Sequence, residues 1–499
     1  MNFKKDLPLT SSHWGTYRAK VKDGKVKELI GWENDKDPSP IGQGIVDVHN
    51  HQTRIDSPMI RKSWMDKGPG SNNSLRGTDP FISISWDEAE KIVSNELNRV
   101  KNDFGNASIF GGSYGWASAG RFHHAQSQLH RFLNCIGGYT RSKFTYSFAA
   151  AEAMVPHILG SYRAFLDTCT SWDSIEENTK LFICFGGVPL KNGQIAQGGT
   201  GSHKQKEKLI RSANAGIKFI NFSPLKSDLL DEVNGEWLAL RPNTDVAIML
   251  GLAHTLYKEK LYDDKFIEKY TEGFDTFLPY LLGDIDGIVK DANWASSISE
   301  IPSKKIISLA KEMSSKRTMI SVSWSLTRQD HGEQPFWAAI MLASMLGQIG
   351  LPGGGFGFGY SATNHIGGQF SIIPGAAFPQ TENKIEDFIP VARISDLLLN
   401  PGGSFDFDGK EYKYPDIKLI YWAGGNPFHH HQDINRLLQA WQKPETIISN
   451  EWCWNSLAKY SDIILPCTTP LERQDIMLTP RDPYVVSMSK LVEPFGLAK

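Results

Sequence analysis

Short apolar segments that each end on a turn of small residues recur along the chain, and they restrict its possible folds more than any other feature. Residues 181–185 read LFICF and are followed by Gly186-Gly187. Residues 216–224 read GIKFINFSP, and residues 416–427 read DIKLIYWAGGNP. Stretches with helical spacing separate these segments, and such alternation is typical of parallel sheets covered by helices. The sequence therefore predicts an α/β fold.

The length of the chain allows several domains of this kind. A chain of 499 residues has enough sequence for about three domains. We expect two Rossmann-like parallel-sheet domains and a small β-rich N-terminal region. The predicted division is a β-rich region over residues 1–60, a discontinuous α/β domain over 61–175 and 415–499, an inserted α/β domain over 176–360, and connecting loops over 361–414.

Two local patterns near the start of the chain predict elements directly. Asp23-Gly24 lies between segments that alternate polar and apolar residues, which is a strong hairpin signal. Trp86-Asp87-Glu88 places two acids where they would favour the first turn of a helix. We therefore expect a β-hairpin at the first site and a helix that begins at the second.

The segment over residues 108–151 opens with a strand and a tight turn. Its first residues form a short apolar run that breaks at Gly111-Gly112. The turn that follows carries polar and aromatic side chains on Ser113, Tyr114 and Trp116. Ser113 also completes a G-x-S-x-G pattern between a strand and a helix, as the nucleophile of a serine hydrolase would. A pattern this short arises easily in a chain with 45 glycines, so a hydrolase is the less favoured alternative.

A helix and a second turn of small residues follow in the same segment. Ser118 is placed to cap the helix, and Gly137-Gly138 is placed to end it. A helix of about 18 residues spans roughly 27 Å, and the chain after it is long enough to return. This path can bring Tyr146 and Ser147 near the first turn, beside a helix N-terminus that suits an anionic or oxyanionic group.

Composition and charge exclude several classes of protein. The chain is 40% hydrophobic and 22% charged with a net charge of −2, which indicates an ordinary globular protein rather than a nucleic-acid binder. The longest apolar run, residues 338–351, contains polar residues and is too short to span a bilayer. The first residues, MNFKKDLPLTSSHWG, lack the apolar core of an export signal. We therefore expect a cytoplasmic location for the sequence as written, or a periplasmic one if an export signal is missing from it.

The cysteines and a run of histidines offer no strong metal-site pattern. The 5 cysteines are scattered singly without a C-x-x-C pair, so they fit buried thiols better than disulfides, structural zinc or an iron–sulfur cluster. Residues 429–431 are three consecutive histidines, whose rings cannot all turn to one ion within a regular element. Zinc ligation there is the less favoured alternative.

Three further stretches suit phosphate or other polar ligands. Trp324, Arg328 and Gln334 lie in a polar segment just before the apolar helix expected over residues 336–349. The glycine-rich segment after that helix includes Gly354 and can offer backbone amides to a phosphate. Lys191 follows the first glycine turn and could also meet a phosphate. The alternatives are a capped loop with internal salt bridges, a flexible link and a solvated lysine.

Taken in order, these motifs resemble one protein family. SYGW before a helix, GGYT, and YS followed by small residues are similar to the molybdopterin guanine dinucleotide-dependent S- and N-oxide reductases, which include the dimethyl sulfoxide, trimethylamine N-oxide and biotin sulfoxide reductases. RPNTD, GEQ and GGNPF extend the resemblance over nearly all of the chain. The resemblance implies that Ser147 ligates molybdenum and that Tyr114 and Trp116 face the oxo group of the metal. This chain reads YSFAA where the family usually reads YSTGA.

The resemblance also implies the cofactors and their contacts. It implies one molybdenum held by two molybdopterin guanine dinucleotides, one guanosine in each α/β domain, and no iron–sulfur cluster. The implied cofactor contacts are Trp116, Lys191, Ser223, Asp245, Trp324, Arg328, Gln334, Gly354, Gly424, Gly425, Asn426 and Asp462.

The implied activity is removal of oxygen from a small N-oxide or S-oxide, such as trimethylamine N-oxide, dimethyl sulfoxide, biotin sulfoxide or methionine sulfoxide. Electrons would come from a cytochrome c or from a thiol- or NADPH-linked protein, and the sequence does not choose among substrates or donors. The family chain continues into a further C-terminal domain beyond the point where this sequence ends, so we expect a fragment. A serine hydrolase that uses Ser113 and a non-catalytic cofactor-binding fragment are the alternatives.

Overall fold

The computed structural model describes residues 6–115, 119–368, 375, 377–479 and 481–499. The chain divides into two compact units. The first unit comprises Met1–Tyr146, Ala196–Ser202 and Ser371–Lys499, and the second comprises Ser147–Ile195 and His203–Phe370. The domain boundaries expected from the sequence stay a prediction.

The strands of the described residues are β1 Leu9–Ser12, β2 Gly15–Lys22, β3 Lys25–Gly31, β4 Met59–Arg61, β5 Phe81–Ser83, β6 Ile109–Gly112, β7 Arg141–Lys143, β8 Leu181–Phe185, β9 Lys218–Phe222, β10 Glu236–Leu238, β11 Thr318–Val322, β12 Gly355–Phe358, β13 Phe388–Pro390, β14 Ser404–Phe407, β15 Lys410–Lys413, β16 Leu419–Ala423, β17 Thr446–Glu451, β18 Ile463–Pro466, β19 Asp475–Leu478 and β20 Val485–Met488.

The α-helices of the same residues are α1 Gln43–His49, α2 Lys62–Lys67, α3 Trp86–Phe104, α4 Ala125–Cys135, α5 Ala149–Met154, α6 Pro156–Leu159, α7 Tyr162–Asp167, α8 Trp172–Asn178, α9 Leu190–Gly193, α10 Gln205–Asn214, α11 Asp245–Lys258, α12 Asp264–Tyr270, α13 Phe274–Leu282, α14 Ala292–Ser299, α15 Ser303–Ser315, α16 Gln334–Met345, α17 Ile394–Leu399, α18 Ile434–Ala440 and α19 Ser456–Lys459. None of the helices in the described ranges combines the length and the hydropathy that crossing a membrane requires.

The N-terminal region is a three-stranded antiparallel sheet, β1-β2-β3. Asp23 and Gly24 connect β2 to β3 with φ values of 54° and 67°. Positive φ at both central residues is the requirement of a type I′ hairpin turn, which explains the Asp-Gly pair. The hairpin prediction is confirmed. The predicted start of α3 is also confirmed, because the helix begins at Trp86 behind a capping box formed by Ser85 and Glu88.

The first unit contains a six-stranded sheet in the order β5-β4-β18-β17-β16-β6. β6, β16, β17 and β18 run parallel, and β4 and β5 are antiparallel at one edge. Helices α3 and α4 pack on one face, and α17 and α18 pack on the other. Burial on both faces explains why these strands are nearly continuous apolar runs in the sequence.

The second unit contains a five-stranded sheet in the order β10-β9-β8-β11-β12, and all of its strands are parallel. Helices α11, α15 and α16 cover one face, and α8 and α10 cover the other. The chain order changes direction between β8 and β11, which is where ligands bind in open α/β sheets. The mixed, mainly parallel sheet of the first unit, the parallel sheet of the second unit and the small antiparallel sheet confirm the predicted α/β class.

The helix expected from Ser118 begins later than predicted. Ser118 lies outside the described residues, and α4 starts only at Ala125. The carboxylate of Asp475 accepts hydrogen bonds of 2.9–3.0 Å from the backbone N–H groups of residues 121–123. These amides are therefore held in a loop by a residue that is distant in sequence, and the helix forms after them.

The segment over residues 361–414, which we expected to be connecting loops, contributes regular structure to the first unit. It contains β13, α17, β14 and β15. Phe388, Leu397 and Phe405 are buried in the core on one face of the six-stranded sheet. The elements have only 3–6 residues each, which is too short for hydrophobic periodicity to appear in the sequence.

A buried ionic network fastens the amino ends of the parallel strands in the first unit. Asp462 lies just before β18, and its Oδ1 accepts a hydrogen bond of 2.7 Å from Nε of Arg61. Its Oδ2 accepts from Nη2 of Arg76 at 2.5 Å and from the backbone N–H of Ile447 at 2.8 Å. The three charged side chains are at most 1% exposed. Both oxygens of this carboxylate therefore accept hydrogen bonds from groups within the fold.

Neutralising Asp462 should destabilise the folded chain. In Asp462→Asn the buried guanidinium group of Arg76 loses its carboxylate and that of Arg61 keeps only Asp79, for which we expect a loss of about 3–5 kcal/mol. The matched control is Asp66→Asn, which removes an exposed pair with Lys62 and should cost less than about 1 kcal/mol. Thermal melting followed by circular dichroism measures both variants. Equal midpoints for the two would contradict the structural role of Asp462.

Candidate functional site

In the first unit, the carboxyl ends of β6 and β16 lie side by side and bring two predicted motifs together. The backbone N–H of Tyr114 donates to the carbonyl of Gly424 at 3.0 Å. Gly425 has φ +78°, and a Cβ built on it would lie 2.8 Å from Cβ of Tyr114. Only glycine permits this approach of the two turns. Tyr114, Gly424 and Gly425 therefore occupy one edge, as the α/β pattern predicts, whereas Trp116 lies outside the described residues.

Asn426 fixes the shape of the turn that follows β16. Its Oδ1 accepts a hydrogen bond of 2.9 Å from the backbone N–H of Phe428. Its Nδ2 donates to Oγ of Ser456 at 3.0 Å. The side chain acts as a cap within the turn. Asn426 therefore lies at the expected edge and holds the Gly424-Gly425 turn in place.

The hydroxyl of Tyr114 is enclosed by aromatic rings. The ring centroids of His430, Trp422 and Tyr146 lie 4.4, 5.0 and 5.7 Å from that of Tyr114. Burial and the nearby Tyr146 hydroxyl raise the pKa of Tyr114 well above its usual value. No group in the described part of the chain meets hydrogen-bond geometry with the Tyr114 oxygen. Tyr114 therefore keeps its proton at neutral pH and has a donor to offer.

Two of the three consecutive histidines have partners in the first unit. Nδ1 of His430 donates to the carbonyl of Asn426 at 3.0 Å. A hydrogen bond of 3.0 Å joins Nδ1 of His431 to the hydroxyl of Tyr146, and burial lowers the pKa of His431 to about 4. In the described residues, no group of three or more His, Cys, Asp or Glu side chains is placed to hold a metal ion. His430 and His431 therefore stabilise the loop around Tyr114.

The serine of the hydrolase pattern is occupied by backbone groups. Ser113 is buried, and its hydroxyl donates to the carbonyl of Gly424 at 3.4 Å and accepts from the N–H of Gly115 at 3.3 Å. The nearby His124 donates from Nε2 to the carbonyl of Gly115 at 2.8 Å and binds Ser127 through Nδ1. The imidazole is therefore turned away from the role of a base for this serine.

Glu451 is the last residue of β17, at the carboxyl edge of the six-stranded sheet, and the pKa of its side chain is raised. Its side chain is buried, and that burial raises its pKa to about 8. Burial also raises the pKa of the neighbouring Cys453 and Cys467 thiols, to about 11 and about 12. At neutral pH this corner of the sheet therefore carries protonated groups that can donate hydrogen bonds.

In the second unit, Asp228 links two of the predicted residues at the carboxyl ends of β8 and β9. Its Oδ2 accepts a hydrogen bond of 2.7 Å from Oγ of Ser223, and its Oδ1 pairs with Nζ of Lys191 at 3.3 Å. A Cβ built on Gly187 would lie 2.5 Å from Asp228, so the glycine turn packs directly on this acid. Sequence motifs missed Asp228, which stands in a short 3₁₀ turn without a distinctive pattern.

The turn after β11 holds the predicted metal-ligand segment. Nη1 of Arg328 donates to the carbonyl of Ser147 at 3.2 Å. The Phe148 ring lies 4.6 Å from the Trp324 ring in an edge contact. Ser147, Trp324 and Arg328 are therefore brought together within the second unit. Gln334 lies further on, where it opens α16 and donates from Nε2 to Glu333 at 3.2 Å.

Asp245 is the first residue of α11 and is almost fully buried. Burial raises the pKa of its carboxyl to about 6, although a hydrogen bond with Gln329 opposes this shift. One carboxylate oxygen has no hydrogen-bond partner within the described residues. An acid with a spare acceptor beside the 324–329 turn suits a ligand that donates hydrogen bonds.

The glycine-rich segment around β12 reaches the expected edge with a different glycine from the one predicted. Gly354 precedes β12 at the amino edge, where a Cβ would lie 2.9 Å from Cδ of Arg317. Gly359 follows β12 with φ +83°, and a Cβ there would lie 2.1 Å from Nε1 of Trp324. Gly359 therefore approaches the candidate site, and Gly354 does not. Asp462 is likewise at the amino edge of its own sheet.

Polar side chains form a row just inside the carboxyl edge of the second sheet. Ser321, Cys184 and Asn221 are register partners across β11, β8 and β9. The Ser321 hydroxyl and both polar atoms of the Asn221 side chain are buried without a partner among the described residues. Such atoms are costly unless water or another polar group satisfies them, so this row marks a polar position in the core near the carboxyl ends of the strands.

Comparisons with known sequences place the chain among related proteins. The model of the molybdopterin oxidoreductase family matches residues 54–499, and the model of the molybdopterin oxidoreductase N-terminal domain matches residues 10–48. A biotin sulfoxide reductase of Cereibacter sphaeroides is 44% identical over 93% of this chain and 63% of its own length. A dimethyl sulfoxide/trimethylamine N-oxide reductase of Rhodobacter capsulatus is 41% identical over 98% of this chain and 61% of its own.

Other relatives and a solved structure agree in coverage and in fold. A trimethylamine-N-oxide reductase of Haemophilus influenzae is 40% identical over 94% of this chain and 58% of its own length. The chain thus spans about three fifths of the curated relatives that it matches. The acetylene hydratase of Pelobacter acetylenicus superposes with a TM-score of 0.65 at 17% identity, over 99% of this chain and 67% of that one. The similarity to the acetylene hydratase concerns the fold alone.

Adding a methyl group at Gly359 should disturb the Trp324 side of the site. Gly359→Ala combines a left-handed φ with a clash against the indole, so we expect a loss of about 2–4 kcal/mol. Gly216→Ala is the matched control because its φ is +84° with nothing within 4 Å of the new Cβ. The control should lose only about 1–2 kcal/mol. Thermal melting compares the two, and equal losses would contradict the close packing at Gly359.

Glu451 should make the stability of the chain depend on pH. Its folded pKa of about 8 exceeds that of the unfolded chain, so the stability that this proton provides is fully present below about pH 4.5 and is lost as the pH rises through about 8. The free energy of unfolding should fall over this window by up to about 1.4 kcal/mol per pH unit. Glu451→Gln should remove this slope and exceed the wild type in stability at pH 8. Denaturant melts from pH 5 to 9 measure it, with the exposed Glu90→Gln as a control; an unchanged slope in Glu451→Gln would contradict the assignment.

Proposed function

Because the chain belongs to the molybdopterin oxidoreductase family, we propose that it removes oxygen from a small N-oxide or S-oxide. The observation that carries this proposal is the identity of 40–44% with proteins named as biotin sulfoxide, dimethyl sulfoxide and trimethylamine N-oxide reductases. The family membership confirms the resemblance inferred from the sequence motifs. The candidate substrates are trimethylamine N-oxide, dimethyl sulfoxide, biotin sulfoxide and methionine sulfoxide, and the electron donor would be a cytochrome c or a thiol- or NADPH-linked protein.

We assign the cofactor to molybdenum with two molybdopterin guanine dinucleotides, without an iron–sulfur cluster. Two Rossmann-like domains would each hold one guanosine at the carboxyl edge of a parallel sheet. In the first unit Gly424, Gly425 and Asn426 would line it. In the second unit Lys191, Ser223, Asp245, Trp324, Arg328 and Gln334 would do so. The spare oxygen of Asp245, the first residue of α11, supports the fit of a polar group that donates hydrogen bonds.

Ser147 would be the protein ligand of the metal. Its carbonyl is held by Arg328 and by the hydroxyl of Thr327 at 3.4 Å, so the backbone at this position is fixed. An ionised serine hydroxyl is a hard oxygen ligand, which suits a high-valent metal. When bound, the metal centre supplies two-electron chemistry, by which an oxide, two electrons and two protons become the reduced product and water.

Tyr114 would donate a hydrogen bond to the oxygen of the substrate. Its buried hydroxyl keeps its proton at neutral pH, and none of the described groups meets hydrogen-bond geometry with its oxygen. A donor placed in advance at a developing negative charge stabilises the transition state without reorganisation. Trp116, which lies outside the described residues, would supply an indole N–H, as the resemblance implies. Asp462 and Gly354, which the resemblance also implied as cofactor contacts, we assign to the scaffold because both lie at amino edges of the sheets.

Replacing Ser147 by Ala should abolish turnover. We expect oxidation of reduced viologen by the four oxides to fall more than about hundredfold in Ser147→Ala, because the metal loses its protein ligand. The control is Ser308→Ala, an exposed serine on α15 whose hydroxyl binds only its own helix. The assay uses the protein as the cell makes it, with molybdenum measured in each preparation.

Three outcomes would contradict the proposal. Full turnover in Ser147→Ala would refute the ligand assignment. Molybdenum and pterin bound by a wild-type protein that reduces none of the oxides would favour the non-catalytic fragment. Labelling of Ser113 by a fluorophosphonate in a preparation without molybdenum would favour the hydrolase.

A further inference from the structure

A cavity of about 370 Å³ in the first unit is lined by the tip of the β2–β3 hairpin, the end of α1 and residues 491–496. Its volume lies within the range of small-molecule sites. The polar side chains of the lining are those of Lys25, His49, Asn50 and Glu493, and the apolar ones are those of Leu491, Val492, Pro494 and Phe495. The lining therefore combines hydrogen-bonding groups with an apolar wall, as sites for small organic molecules do.

His49 offers the cavity a hydrogen-bond donor from a buried position. Nδ1 of His49 lies 3.4 Å from Nη1 of Arg54, which also donates to the carbonyl of His49 at 2.8 Å. Because a guanidinium group has no acceptor, Nδ1 must accept in this contact. Burial lowers the pKa of His49, with Glu472 opposing the shift and Arg54 adding to it, so the imidazole is neutral at pH 7. Nε2 therefore carries the proton and is the donor that the ring has left to offer.

A buried ion pair fixes both this donor and the aromatic part of the wall. Nη2 of Arg54 donates to the two carboxylate oxygens of Glu472 at 3.0 Å each, and neither side chain is exposed. The same carboxylate accepts a hydrogen bond of 2.6 Å from the backbone N–H of Phe495. The guanidinium carbon of Arg54 lies 4.9 Å from the centre of the Phe495 ring. The cavity is therefore preformed, and a ligand would need to order little of it.

The tip of the β2–β3 hairpin concentrates positive charge beside the cavity. Residues 20–28 contain four lysines and two acids. Lys22 and Lys25 are register partners directly across the two strands, and neither forms an ion pair with another described residue. Like charges in this position destabilise a hairpin, and an anion bound between the strand ends and the cavity would relieve their repulsion.

The acid in the lining does not cancel this charge. The carboxylate of Glu493 pairs with Nζ of Lys490 at 2.6 Å, and its side chain is 86% exposed. The remaining polar groups of the lining are the ammonium group of Lys25, the side-chain amide of Asn50 and the Nε2–H of His49. All three can donate hydrogen bonds, and one of them is charged, so the cavity suits an anionic group.

We propose that this cavity is a binding site for a small organic acid, with the carboxylate at Lys25, Asn50 and His49 and the hydrocarbon part against Phe495. The inference does not depend on the proposed oxide reduction, since none of these residues is assigned to it. A free phosphate shares the anionic chemistry. It has no apolar part to cover the wall, and half of the side chains in the lining are apolar, so an organic acid fits better.

The test measures binding of benzoate, phenylacetate and 3-methylbutanoate to the full chain by calorimetry at pH 7. Each acid should bind at least about fivefold more tightly than the uncharged benzamide, because the donors favour a carboxylate. Lys25→Gln and Asn50→Ala should each weaken benzoate binding by about 3- to 10-fold. Lys27→Gln is the matched control, because Lys27 is an exposed lysine of the same strand that does not line the cavity.

Four outcomes would overturn the proposal. They are no binding of any of the three acids, equal binding of benzoate and benzamide, tighter binding of inorganic phosphate than of every acid, and an equal loss in Lys27→Gln and Lys25→Gln. Thermal melting of each variant checks that it is folded.

Molybdenum and pterin contents separate this site from the proposed reductase. The variants should keep the wild-type contents and the wild-type turnover of oxides. A fall of bound pterin in Lys25→Gln would overturn the proposal, because a cofactor phosphate would then be the anion. Acid binding by a preparation that reduces none of the oxides would support this site even though the reductase proposal had failed.

Discussion

The parallel pairing of strands is the constraint on which both units depend. A parallel sheet covered by helices on both faces leaves almost no room for polar side chains inside, so chemistry is confined to its edges. In the first unit this brings Tyr114, Gly424 and Asn426 to one edge. In the second unit it gathers Ser223, Lys191 and Trp324 at the carboxyl ends of β8, β9 and β11. The functional residues are far apart in sequence because each follows a different strand.

Local sequence patterns predicted the elements that local physics determines. The apolar runs over residues 181–185 and 218–222 became strands, the Asp23-Gly24 pair became a hairpin turn, and Trp86 began a helix. Each of these depends on propensity, burial or turn geometry within a few residues. The fold class followed because the alternation of such runs with helices leaves few other arrangements.

The features that sequence patterns did not show depend on partners that are distant in sequence. The carboxylate of Asp475 captures the amides of residues 121–123 and delays α4, which no pattern near residue 118 could show. Asp462 meets Arg61 and Arg76 from the start of the chain, so its motif position did not reveal its partners. The sequence alone does not distinguish Gly354 from Gly359. Only the direction of β12 decides which of the two glycines lies next to Trp324. Asp228 belongs to no recognisable sequence motif, so its contacts with Ser223 and Lys191 could not be predicted from the sequence.

The carboxylate of Asp475 controls the start of a helix to which it does not belong. Asp475 begins β19, and its carboxylate holds the loop of residues 121–123 that precedes α4. The start of α4 is therefore set by a residue that lies about 350 positions further along the chain. A lineage that lost this acid would release the amides of residues 121–123 and change where α4 begins, while the sequence of the helix itself stayed the same.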